Sequence, residues 1–304
     1  MLSIKIGVLI GQPKPVSGFD LTLYNKKSCT GKINKAADHV YNVISCFGDN
    51  KTARERPEWV ALSKYGKAVR ANRRHRFLWD WICPSVEEHK ASLIDLINET
   101  LKADVTGIHL ECIGFPSEAY CTCQRCVEKH EENKLGWVEW RAKLVNEFVK
   151  EASKLVKEKE KSFSVTLLPD PCFGKDRFGE DFRSLAKYVD FFLVPLYDVA
   201  YLHTYWVKTL AYDFYRQLEK PLYIELYGGD PRPKIKNLVA AIAAISDYTD
   251  GVILATHNIH LSEEIRDRLI KDDELRNFLE ERGCESMIDI VRKWNKDYGF
   301  CEPK

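Results

Sequence analysis

The feature that most constrains this sequence is a rhythm. Eight short apolar runs, at 3–11, 39–47, 75–82, 105–112, 162–169, 190–197, 222–228 and 251–256, alternate with longer, more polar segments. The runs are almost continuously apolar, as in GVLI, GIHL, FFLV and GVILA. Strands buried on both faces read this way, which favours parallel strands covered by helices. Several intervening segments have helical periodicity, at 56–72, 85–102, 136–159, 179–188, 204–219 and 233–247. The segment at 85–102 opens with Ser85 and has Glu88 three residues on, the pattern of a capping box. The tail at 272–298 reads as one or two further helices.

Eight strand-then-helix units in 304 residues predict a single-domain (β/α)8 TIM barrel over 1–304. The alternative is an open doubly wound sheet. It would carry its usual nucleotide signatures, yet no G-x-G-x-x-G follows the first strand and no P-loop lysine motif occurs. Segment 12–38 reads as an irregular loop over one barrel end, and 112–126 as a cysteine-rich loop.

Composition narrows the partners. The net charge of +1 predicts no nucleic-acid partner. The basic group Arg70, Arg73, Arg74 and Arg76 reads as a solvated connection. No apolar run reaches the roughly 18 residues that suggest a membrane helix. The first residues read as a strand and not a signal peptide, so the expectation is a cytoplasmic protein with no membrane partner. An oligomer is left open. Abundant Lys and Glu with only two Met suggest a thermophilic source.

Active sites of such barrels lie at the C-terminal ends of the strands. The polar residues that fall there are Trp79, Asp80 and Trp81; Glu111; Asp170; Tyr197 and Asp198; Glu225 and Tyr227; and His257 and Asn258. Two carboxylates across a pocket suit glycoside cleavage, one protonated to release the leaving oxygen and one ionised to attack. Aromatic rings, Tyr201 among them, would stack on sugar faces. The expected substrate is therefore a carbohydrate.

The ten cysteines add a second motif. Cys121, Cys123 and Cys126 form C-x-C-x-x-C, and a structural zinc needs a fourth ligand. Cys83 is the first candidate, with Cys112 and Cys46 as alternatives. Cys29, Cys46 and Cys172 read as buried thiols, and Cys284 with Cys301 as the pair to watch for a disulfide.

The order of a cysteine after the third strand, Glu111 ending the fourth, and C-x-C-x-x-C soon after resembles the β-galactosidases of glycoside hydrolase family 42. GIHLECIGFP is also similar to the fourth-strand segment of several uncharacterised glycosidase-like barrels. The resemblance implies a retaining (β/α)8 glycosidase with Glu111 as acid/base and Glu225, in YIELYGG, as nucleophile. It also implies a structural Zn2+ held by Cys83, Cys121, Cys123 and Cys126. One departure is Leu110, where that clan places an asparagine that holds the sugar.

Three other readings stand beside this one. Glu111 could be the nucleophile with Asp198 as acid. The barrel could bind carbohydrate without cleaving it, a reading that Leu110 favours. A metal-dependent hydrolase would use His109, His257, His260 or Asp170.

Overall fold

The computed structural model describes residues 4–229, 233–256 and 258–271. Eight parallel strands close into a barrel: β1 (Lys5–Ile10), β2 (Leu21–Lys27), β3 (Tyr41–Ser45), β4 (Gly107–Glu111), β5 (Ser162–Thr166), β6 (Phe191–Pro195), β7 (Leu222–Tyr227) and β8 (Gly251–Ala255). The strands are adjacent in chain order, and β1 closes the ring by pairing with both β2 and β8. This is the (β/α)8 class expected from the rhythm.

Side-chain alternation divides each strand between two cores. One set fills the barrel interior, with Leu9, Leu21, Leu23, Val43, Phe191, Leu193, Tyr223, Ile253 and Ala255 in one cluster. The other set faces the helices and joins a larger cluster containing Ile44, Ile108, Leu110, Val165, Phe192, Val194, Ile224 and Leu226.

The helices are α1 (Asn50–Glu55), α2 (Glu87–Thr100), α3 (Gln124–Glu131), α4 (Trp137–Glu158), α5 (Gly174–Phe178), α6 (Phe182–Leu185), α7 (Tyr205–Gln217), α8 (Ile235–Ile245) and α9 (Ile259–Lys271). All lie after β3. The β1–β2 and β2–β3 connections are loops without a helix. No helix among the described residues is long and apolar enough to cross a membrane.

Four local expectations are corrected. Segment 12–38 is not all irregular, because β2 runs through it. Its sequence, LTLYNKK, hides a strand behind two lysines that are both buried. Lys26 Nζ donates to Asn34 O at 2.7 Å, and Lys27 Nζ donates to Ser45 O at 2.6 Å. Conversely, 75–82 supplies no barrel strand, and its end makes isolated bridges, Gly48 with Trp81 and Val60 with Ile82.

The helix expected at 56–72 is instead a loop with a small hairpin pairing Leu62–Ser63 with Gly66–Lys67. Gly66 turns it at φ +93°, a conformation that suits glycine. The capping box at Ser85 does not form, because Val86 is the N-cap of α2. The Ser85 hydroxyl instead meets the sulfurs of Cys83 and Cys126 at 3.1 and 3.3 Å. The tail at 272–298, with Cys284 and Cys301, lies outside the described residues.

The loops at the C-terminal ends of the strands are tied together. Cys46 and Phe47, which follow β3, donate their N–H groups to Glu111 O and Cys112 O. Gly48 permits this approach, since a Cβ there would sit 2.9 Å from Cys112 Sγ. The guanidinium of Arg141, buried on α4, donates to the carbonyls of Ser117, Asp176 and Arg177. It thereby ties the β4–α3 connection to α5.

Candidate active site

Glu111 is the last residue of β4 and Glu225 the fourth residue of β7. Both fall on the inward phase of their strands. Glu111 follows the interior residue His109, and Glu225 follows Tyr223. In the sheet register Glu225 lies beside Pro195 on one side and Ile253 on the other. Glu111 thus occupies the last inward position of β4, and Glu225 lies one inward position before Tyr227 at the end of β7.

Glu225 is 3% exposed. Its Oε1 accepts the Tyr197 hydroxyl at 2.6 Å. Tyr197 follows β6 with its ring half exposed, so the ring faces the mouth while the hydroxyl reaches the carboxylate. Tyr227 leans against it, with ring centroids 5.6 Å apart. Tyr201 holds this wall, donating its hydroxyl to Leu196 O at 2.9 Å and receiving the N–H of Tyr227 at 2.7 Å.

Glu111 is partly exposed, and its carboxyl makes no hydrogen bond among the described residues. Burial away from bulk water pushes it up to about 7. Burial, reinforced by the charge of Glu111, pushes Glu225 up to about 8, while the Tyr197 hydrogen bond opposes the rise. The charge of Glu111 therefore reaches Glu225. Among the described residues Tyr197 is the one donor on either carboxyl, and its hydrogen bond lowers Glu225 against the larger effect of burial.

Beside Glu111 lies a small polar nest that the sequence did not reveal. Lys27 Nζ reaches Asp49 Oδ2 at 2.9 Å, with both side chains buried. Cys29 Sγ lies 3.1 Å from Ser45 Oγ and 3.8 Å from Cys112 Sγ. Its only sequence signal was a pair of lysines inside an otherwise strand-like stretch.

The remaining expected residues divide by what they touch. Trp79 is half buried near the end of the β3–α2 loop, whereas Trp81 is buried in the core and offers no face to a sugar. Asp80 Oδ1 accepts the N–H of Arg70 at 2.8 Å. Asp170 is engaged by Arg177 Nη1 at 2.7 Å and by the N–H groups of Cys172 and Phe173. Asp198 Oδ1 accepts the N–H of Ala200, and Asn258 Oδ1 accepts that of Leu261 in α9. His257 lies outside the described residues. Leu110 is fully buried against the helix layer, so its side chain points away from the pocket.

Among the described residues the histidines give no metal centre beside Glu111 and Glu225. His109 is enclosed in the barrel with both ring nitrogens bonded, to Ser164 Oγ at 2.8 Å and Thr166 Oγ1 at 2.7 Å. Burial holds it in its neutral form, down to about 3. His260 is exposed beside Glu263. Among the described residues, one grouping has metal-ligand geometry: the sulfurs of Cys83, Cys121, Cys123 and Cys126, all within 4.8 Å of one another. Cys83 Sγ is 3.3 Å from Cys126 Sγ and 4.0 Å from Cys123 Sγ. The N–H of Leu62 donates to Cys121 Sγ at 3.2 Å. Cys46 and Cys112 stand outside this group. The four thiols join the β3–α2 loop to the start of α3 and supply no side chain to the Glu111–Glu225 pair.

A family model described as "Putative glycosyl hydrolase domain" matches residues 18–221, which include Glu111 and all four clustered cysteines and end just before Glu225. No curated protein matches the chain. Among solved structures, α-L-fucosidase isoenzyme 2 from Paenibacillus thiaminolyticus is similar, with 12% identity and a TM-score of 0.63 over 89% of this chain and 49% of that one. The present chain thus spans about half the length of the fucosidase chain. A chitinase from Chromobacterium violaceum aligns with 8% identity and a TM-score of 0.51, over 88% of this chain and 99% of that one. At these identities the likeness concerns the fold.

Proposed function

The chain belongs to this family of glycosyl hydrolase domains, and we propose that it cleaves a glycosidic bond by double displacement, with Glu225 as nucleophile and Glu111 as acid/base. One observation carries the assignment of roles. Glu225 is buried with a tyrosine hydroxyl donating to it, whereas Glu111 is partly open and has no donor among the described residues. A donor stabilises the ionised form that must attack the anomeric carbon. Glu111, raised to about 7 and without a donor among the described residues, can give up and take back a proton near neutral pH, as an acid/base must.

In the first step Glu225 attacks the anomeric carbon while the Glu111 proton passes to the departing oxygen. In the second, Glu111, now ionised, takes a proton from water, which attacks the same carbon and frees Glu225. Tyr197 gives its hydrogen bond to the Glu225 oxygen and would loosen as that oxygen becomes esterified. Tyr197, Tyr227 and Trp79 offer ring faces for the sugar.

The orientation of Leu110 bears on the reading of a barrel that binds without cleaving. A side chain directed into the helix layer is not a lost sugar contact, so the departure at this position does not by itself argue against catalysis. The scheme with Asp198 as acid is less well supported, because the Asp198 carboxylate closes its own turn on Ala200.

The cysteine cluster fits a structural zinc. Four convergent sulfurs, one of them accepting a backbone N–H, match a tetrathiolate donor set. Zinc there would hold the two loops together and deprotonate the thiols, with no part in bond cleavage.

The test of the roles is Glu225→Ala on a glycoside that the wild-type protein turns over. Turnover should fall by at least about 10³-fold and be partly restored by azide, which replaces the missing nucleophile. Full activity in that variant would sink the assignment.

A further inference from the structure

The sequence from Trp59 to Trp79 contains six lysines and arginines and no acid, in a protein whose net charge is +1. Lys64, Lys67, Arg70, Arg73, Arg74 and Arg76 are all exposed. The segment is no simple connection between a helix and a strand. It is a long loop on the catalytic face, following β3, and it is rooted beside the active site. Asp49 N–H donates to Asp80 O at 2.9 Å and Ile82 N–H to Phe47 O at 2.7 Å, while Phe47 itself is bonded to Cys112, next to Glu111.

The loop is braced from within. Asn72 donates through its Nδ2 to the carbonyls of Tyr65 and Lys67 and accepts the N–H groups of Arg74 and His75. His75 packs between Tyr65 and Phe77, with Tyr120 of the cysteine loop against its edge. Tyr65 lies under both Arg74, at 4.1 Å, and Lys64, at 5.0 Å. Arg70 has Asp80, and Lys67 has the Pro57 carbonyl. Arg73 and Arg76 make no contact with an acid or an acceptor among the described residues. Glu118, whose charge reaches His75, is already held by Arg177 at 3.3 Å.

A braced surface that gathers like charges works against its own stability unless an anion meets it. We propose that the substrate is an anionic glycan, a chain of sugars bearing carboxylate or sulfate groups, that leaves the barrel mouth across this loop. Arg73 and Arg76 engage its charges, and the Tyr65 and Trp79 rings lie along its path. The idea deepens the glycosidase reading and rests on it. A nucleic acid is the competing occupant, and the experiment separates the two.

The test is affinity gel electrophoresis of the full chain through gels containing polygalacturonate, dextran sulfate or neutral dextran, with a single-stranded DNA oligomer as competitor. One or both charged glycans should retard the protein, and which one does so identifies the charged group. Dextran should not retard it, and DNA should compete poorly. The R73A/R76A variant should bind the charged glycan roughly tenfold more weakly at low salt, because each exposed ion pair is worth up to about 1 kcal/mol. R73K/R76K should retain most of the binding. The gels read binding without turnover, so a failure of the catalytic assignment, read from the turnover of Glu225→Ala, would be seen separately. The proposal is overturned if neither charged glycan retards the protein, if dextran retards it equally, if DNA competes as well as the glycan, or if R73A/R76A is unchanged.

Discussion

Replacing Glu225 by glutamine should stabilise the folded protein, and by more as the pH rises. In the folded state this carboxyl is raised from 4.5 to about 8, first by burial and then by the charge of Glu111. A raised acid favours the folded state below its unfolded value, and that contribution is lost as the pH climbs towards the folded value. At pH 5 the group is largely protonated in the fold and only partly ionised in the unfolded chain, so the effect is about 1 kcal/mol. At pH 8 the linkage reaches about 4 to 5 kcal/mol at one unit per 1.36 kcal/mol. Glutamine keeps the shape and can still accept the Tyr197 hydroxyl, so it removes the charge with little else. Urea unfolding of both proteins at pH 5 and pH 8 measures the difference. The variant's advantage should grow by about 3 to 4 kcal/mol between the two conditions, or roughly 10 °C in melting temperature for a domain of this size. Equal pH dependence of the two proteins would refute the claim that the site holds Glu225 as a desolvated, repelled carboxylate.

Further outcomes follow from the same geometry. The pH profile of kcat/KM should be a narrow bell, its limbs set by the Glu111–Glu225 pair at about 7 and about 8. In Glu111→Gln, Glu225 loses the charge that raises it, so its ionisation should move to lower pH; a limb that stays in place would break the coupling. Tyr197→Phe removes the one donor on Glu225 among the described residues, so kcat should drop roughly 10- to 100-fold with a smaller change in KM. A change confined to KM would make Tyr197 a sugar contact only. Acid denaturation in a zinc-indicating dye should release about one zinc per chain, and Cys126→Ser should lower both that yield and the melting temperature. A metal-free wild-type protein of unchanged stability would remove zinc from the account.

The closed barrel was legible in the sequence because seven of the apolar runs are strands buried on both faces. The eighth was misplaced for a physical reason. In β2 the lysines at 26 and 27 are buried by pairing with carbonyls and carboxylates, which hydrophobic periodicity does not register. The run at 75–82 has the composition of a strand, but its aromatics pack a loop hairpin against the core. Glu111 and Glu225 were legible as inward-facing acids near the C-terminal ends of their strands. The hydrogen bond from Tyr197 was not, because it depends on the closure of β6 against β7. The orientation of Leu110 was likewise hidden, since a motif gives the neighbour of Glu111 but not the face it turns to. Cys83 was expected near the other three cysteines as the end of a strand at 75–82; no strand forms there, and the long loop after β3 brings Cys83 to the cluster instead.

The most direct test of the central claim is to trap the covalent intermediate. The protein would be incubated with 2-deoxy-2-fluoro glycosides bearing activated leaving groups, then digested and mapped by mass spectrometry. The account predicts a stable adduct of one fluorosugar per chain on the peptide carrying Glu225, absent in Glu225→Gln. Label on the peptide carrying Glu111, or steady turnover to the inverted anomer with no adduct, would contradict it.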